Sequence, residues 1–198
     1  MTRVLSTAIA LFIVGLLGCS GDGVTGVAKA RTIMVARFDT PEPTDCSAAG
    51  ASLMRGAFGT RPAALSDGTR DDAGVNHVAC RVVDLGHDQF SVDGTVMSDD
   101  RVLFSIKGTF PKTTDAKGFL VDRVTLSNGA TGPDFAAFTQ ANGQCRVLYA
   151  ASTEGVVRGR VWAEVTCPAA TKDPDAGGAG SGTCVTIAQF RFEDCATN

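Results

Sequence analysis

The sequence predicts an all-β fold: an antiparallel β-sandwich of Greek-key, Ig-like or jelly-roll type, with about eight strands and disulfide bonds. Three observations lead there. Apolar and polar residues alternate with a period of two through much of residues 77–167, as half-buried strands require. Glycine is abundant, 23 of 198 residues, and much of it punctuates the alternating runs where turns are needed. Beyond an apolar segment at the start, no long stretch suits a helix, and no repeat at a fixed period suggests a solenoid or propeller.

The N-terminal segment stands apart from this pattern. Met1-Thr2-Arg3 carries one positive charge, and Val4 to Leu17 carries none. As a helix those residues reach roughly 21 Å, short of a hydrocarbon core of about 30 Å, so they suit a signal-peptide core better than a membrane span. The segment ends in Leu16-Leu17-Gly18-Cys19. These four residues resemble the lipobox of bacterial lipoproteins, with Leu17 larger than the usual residue at its position. The resemblance covers only the lipobox and the apolar run before it. It implies a diacylglycerol-modified Cys19 thiol and cleavage before Cys19, which makes residues 1–18 a signal peptide. Ser20 after the cysteine resembles the outer-membrane sorting pattern. A different cleavage is also readable, because Ala28-Lys29-Ala30 is an A-x-A site that would release a chain starting at Arg31.

Residues 19–30, small and Gly-rich, are expected to form a flexible tether, and residues 31–198 a single domain. RTIMVARFD (31–39) is its first expected strand. Residues 40–76 look irregular, with a short helix conceivable over Ala48–Phe58 despite Gly50 and Gly56. From His77 the alternation is clear. Val78, Cys80 and Val82 share one face, Phe90, Val92 and Val96 the next, and Val102, Phe104, Ile106 and Phe110 the third. Further strands are expected over 119–126, 144–151, 156–167 and 184–195, with 168–183 a long polar loop. In the 156–167 strand, Val157, Val161, Ala163, Val165 and Cys167 would share one face, with Arg158, Arg160, Trp162 and Glu164 opposite.

Seven cysteines are present: Cys19, Cys46, Cys80, Cys145, Cys167, Cys184 and Cys195. Removing Cys19 to lipid, or cutting after Ala30, leaves six, enough for three bridges in an exported protein. Fifteen connectivities are open. Cys167–Cys184 would pin the long loop, leaving Cys46–Cys80 and Cys145–Cys195. Zinc fits poorly, since no C-x₂₋₄-C pair occurs.

Composition and motifs narrow the function less than the location. Hydrophobic residues, 44% of the chain, suffice for a core. The net charge is −3 and no five like charges are contiguous, so there is no electrostatic footprint for nucleic acid. His77 and His87 are the only histidines, and neither accompanies a nucleophile motif. The acidic groups Asp67, Asp71 and Asp72, Asp99 and Asp100, and Asp173 and Asp175 lack the calcium-loop ladder and suit solvated turns. Arg158, Arg160 and Trp162 form the one candidate binding patch: an indole flanked by guanidiniums can stack on a sugar or dock a protein. The scarcity of other Trp and Tyr favours the alternative, in which Trp162 packs under a loop or on a second sheet. The expectation is therefore a lipid-anchored cell-envelope protein, of the outer membrane, whose domain binds or supports rather than catalyses. Its partners would be the membrane and an unidentified envelope protein or glycan, with no cofactor, metal or nucleic acid. The alternatives are an envelope hydrolase built around His77 or His87, and a secreted, unlipidated binding protein.

Overall fold

The alternation in the sequence becomes alternation in space. A computed structural model describes residues 28–41, 45–59, 62–71, 74–99, 101–130, 134–174 and 180–198. The signal segment, Cys19, Ser20 and most of the expected tether lie outside these residues. Eight strands are nine residues or longer: β1 (Arg31–Asp39), β5 (Gly74–Gly86), β6 (Gln89–Ser98), β7 (Arg101–Pro111), β8 (Phe119–Ser127), β9 (Ala137–Leu148), β11 (Arg160–Lys172) and β12 (Thr183–Glu193). Four short ones accompany them: β2 (Ser52–Arg55), β3 (Leu65–Ser66), β4 (Arg70–Asp71) and β10 (Gly155–Val157).

All twelve belong to one antiparallel sheet in the order β2-β1-β12-β11-β9-β8-β7-β6-β5-β4, with β10 beside β11 and β3 beside β1. The sheet curls into a half-barrel instead of splitting into the expected two-layered Greek key. Local connectivity explains this. The β5–β6 turn, His87-Asp88, has both residues at positive φ (53° and 57°), the two-residue geometry that holds consecutive strands side by side. From β5 to β9 each strand pairs with its predecessor, so the chain meanders and nothing sends a strand to a second layer. The curl brings β5 back towards β12. Arg81 and Ala196 form a parallel bridge there, and the Val82 N–H donates to the Ala196 carbonyl at 2.8 Å.

The concave side holds the core. Phe38, Phe104, Phe110, Phe138, Phe190 and Phe192 are its largest fully buried side chains. Phe104 on β7 meets Phe190 and Phe192 on β12, with ring centroids 5.2 and 6.1 Å apart. Those strands are not neighbours in the sheet, so the contact crosses the interior. Gly94 on β6 makes room for it, since a Cβ there would lie 2.6 Å from the Phe192 ring.

Several elements depart from expectation. Residues 48–58 form a turn and then β2, because Gly50 and Gly56 take positive φ (79° and 71°) that a helix does not accommodate. The expected loop over 168–183 is shorter: β11 runs on to Lys172 through a bulge between Cys167 and Ala170. Pro168, which has no N–H to donate, falls in that bulge. Opposite it, β9 begins at Ala137 and passes through Asn142 and Gly143, both at positive φ. The Gln140 side chain fills the gap, accepting from the Ala169 N–H at 3.0 Å and donating to Gln144 at 2.8 Å. Val102 does not share the face of Phe104, because a register shift near Val96 and Met97 pairs Val96 with Phe104 but Met97 with Val102.

The three disulfides are Cys46–Cys184, Cys80–Cys195 and Cys145–Cys167. None is an expected pair. Register decides: Cys167 lies opposite Thr186 and Cys184 opposite Ala170, so these two cysteines are not cross-strand partners. Three bridges in one domain point to an oxidising, extracytoplasmic compartment.

The single tyrosine supplies a pH prediction. The Tyr149 hydroxyl donates to the Pro111 carbonyl at 2.7 Å, and its ring meets Phe119 edge-on. Burial pushes the phenol above its ordinary value of 10.0. The unfolded chain therefore loses this proton first, and stability present below pH 10.0 declines as pH rises beyond it. Tyrosinate absorbance of the folded protein is expected to stay flat through that range and to rise only with unfolding. Tyr149→Phe should remove this contribution to the alkaline decline, at a cost of about 1 kcal/mol near neutrality.

Candidate functional site

The convex face of β1, β12 and β11 carries the only tryptophan, and its geometry differs from a simple Arg–Arg–Trp row. β10 and β11 form a hairpin whose two-residue turn is Arg158-Gly159, with Gly159 at φ 77°. Val157 pairs with Arg160, so both face outward, and Val157 is exposed while Val156 is buried. Arg158 thus belongs to the turn, and Val157 does not share the inner face with Val161, Ala163, Val165 and Cys167. Arg160 and Trp162 remain on the convex side.

What flanks Trp162 comes from elsewhere in the chain. Register places Ile33, Arg191, Trp162 and Gly155 in one row across four strands, and glycine at the end of the row leaves space beside the indole. The Arg191 guanidinium carbon lies 5.1 Å from the Trp162 ring centroid. Phe58, from the loop after β2, stacks on the indole at 5.9 Å with planes 21° apart. Arg191 is held in turn by Glu193, which also pairs with Arg31 at 3.4 Å, and Arg31 reaches Asp194 at 2.7 Å. The indole thus packs against Phe58 and Arg191 rather than standing as an open stacking platform. Two donors there, Trp162 Nε1 and Arg191 Nε, are buried and have no acceptor among the described residues. Each such donor costs about 1–3 kcal/mol unless an oxygen reaches it.

Beside this row the convex face opens. Val35, Arg37, Glu164, Ile187 and Gln189 line a groove of about 250 Å³. Met54, paired in register with Val35, extends it to the sheet edge. Met54 is 64% exposed and Val35 39%, an apolar pair on a face where antiparallel sheets usually turn polar residues to water. Gln189 is fixed by Glu154 at 3.0 Å. The groove offers an apolar floor with a cation and a carboxylate on its rim, which suits a polypeptide better than a sugar ring.

The other sequence candidates are dispersed. His77 Nδ1 stands 3.7 Å from Asp67 Oδ1, but both side chains are exposed, and that same oxygen accepts the Val78 N–H at 3.0 Å. His87 lies in the β5–β6 turn. Neither histidine lines the groove. Asp99 accepts the Val75 N–H, Asp71 stands 3.9 Å from Arg55, and Asp173 is buried against Arg123 at 3.2 Å. Asp173 is therefore an interior ion-pair member, not a solvated turn residue. Asp72, Asp100 and Asp175 lie outside the described residues. Among the described residues no three His, Cys, Asp or Glu side chains gather as a metal-holding group.

Sequence reasoning missed Phe58, Arg191 and Glu193. A signal existed for two of them: in QFRFE, Arg191 and Glu193 alternate with core Phe190 and Phe192, which puts both on the convex side. Phe58 sits in an irregular stretch that gives no such cue. Comparison with known proteins returns no matching family model, no matching curated protein and no matching solved structure.

Proposed function

We propose that the chain is a lipid-anchored protein of the bacterial cell envelope, on the outer membrane, and that its half-barrel is an interaction module docking a protein partner on the convex face of β1, β11 and β12. The anchor rests on Leu16–Cys19. Three disulfides support export, which the anchor requires and a chain cut after Ala30 would share. Ala30 favours the anchor over cleavage after that residue, because the Ala30 carbonyl accepts the Asp67 N–H at 3.0 Å and is part of the folded domain. The observation that carries the binding reading is the exposed Met54–Val35 groove. A partner segment laying apolar side chains in the groove would cover that exposed surface.

Photocrosslinking in the native envelope tests this. A photoreactive residue at position 54 is expected to give a discrete adduct, and the same residue at exposed Lys107 on β7 is expected to give none. Equal labelling from the two positions, or none from position 54, contradicts the assignment.

A further inference from the structure

The disulfides differ in how the fold encloses them. Cys145 and Cys184 are 0% exposed, Cys167 1% and Cys46 9%, so two bridges lie inside the core. In the third bridge Cys195 is 6% exposed, and only Cys80 is partly buried. With Cys195 it borders a cleft of about 550 Å³, lined mainly by small side chains, among them Ala28, Ala30, Ala79, Ala196 and Thr197. Among the described residues the largest side chains lining that cleft are Asp194 and Asn198, and its volume admits a peptide-sized thiol.

This bridge also occupies a special place in the topology. β5 and β12 lie far apart in strand order, and the curl brings them together. Residues 65–71 bridge β1 and β5 nearby: the Asp67 N–H donates to the Ala30 carbonyl and the Gly68 N–H to the Asn76 carbonyl. Residues 194–198 close their part of the seam: the Ala196 N–H donates to the Cys80 carbonyl at 2.9 Å, and the Val82 N–H donates to the Ala196 carbonyl at 2.8 Å. Cys80–Cys195 is the covalent clasp over those few hydrogen bonds.

We infer that Cys80–Cys195 is a thiol-exchange site, at which a small-molecule thiol entering the cleft opens the seam while the two core disulfides persist. The incoming thiolate attacks the sulfur of Cys80, the less buried residue of the pair. A mixed disulfide forms there as the S–S bond breaks, and Cys195 leaves as a thiolate that takes up a proton. A second thiol then attacks the mixed disulfide, giving free Cys80 and the oxidised thiol pair. Two thiols are oxidised to one disulfide and one protein disulfide is reduced, so the exchange balances. The consequence is local: residues 194–198 detach from β5, while the β5–β9 meander keeps its pairing.

The test uses the full chain under native conditions with reduced glutathione, quenched by alkylation at intervals and mapped by peptide mass. Cys80 and Cys195 are expected to be alkylated about tenfold or more ahead of the four cysteines of the core bridges, with glutathione found on Cys80. Hydrogen exchange of the singly reduced species should show lost protection confined to residues 80–82 and 194–198. Simultaneous reduction of all three bridges, a lead by either core bridge, or exchange spreading into β6–β9 would overturn the inference.

Discussion

Replacing Cys46 and Cys184 together with serine is expected to cost about 5 kcal/mol, the largest loss available from any one bridge in this domain. The two cysteines are 138 residues apart, so the bridge removes the most chain entropy from the unfolded state; Cys145–Cys167, separated by only 22, removes less, about 3 kcal/mol. The location adds to the effect. The bridge fastens the segment after β1 to the start of β12, where the Thr183 N–H donates to the Asp45 carbonyl at 2.7 Å and Cys46 pairs with Gly182. In a domain of this size the loss corresponds to a fall in Tm of roughly 10–20 °C. Thermal and urea unfolding of the two double-serine variants under oxidising conditions checks the claim. The Cys46/Cys184 variant should be the less stable, and the reverse order would contradict the loop-closure account.

Phe104→Ala is expected to cost about 3–5 kcal/mol, the range for removing a fully buried aromatic that its neighbours cannot replace. Phe104 is 0% exposed and joins the two sides of the curl through Phe190 and Phe192. Its loss would leave a void against strands that are fixed by their own ladders and cannot collapse inward. Urea unfolding measures the cost, and a midpoint close to that of the parent would show that the interior is not organised around this ring. Phe58→Ala should cost less, because that ring is partly exposed and packs on the convex side.

The β character of the chain was legible because its strands are half-buried, and burial on one face imposes a period of two. Phe90, Val92 and Val96 announce β6 without any knowledge of its neighbours. Curvature was not legible in the same way. Whether strands split into two layers or curl as one sheet depends on how each turn returns the chain, and His87-Asp88 carries only weak information about that. The disulfides failed for a related reason: Cys80 and Cys195 meet only because the whole sheet curls, and no local pattern records such a contact. The strand expected from Gln144 in fact starts at Ala137, because β9 continues through the positive-φ pair Asn142-Gly143. In the candidate site, Arg160 and Trp162 were placed on the correct face. Arg158 was not, because the Arg-Gly turn reverses the chain and changes which residues face outward. Phe58 depends on a loop folding over the sheet, which alternation does not encode.

The proposal that the domain hangs from a membrane rests on four residues near the start of the chain, and the mass of the mature N-terminal peptide tests it most directly. Purified from its native envelope, the protein should begin at Cys19 and carry the added mass of a diacylglyceryl group, with or without a further acyl chain on the amine. A mature chain beginning at Arg31, or one retaining Met1 with an unmodified Cys19, would contradict lipid anchoring.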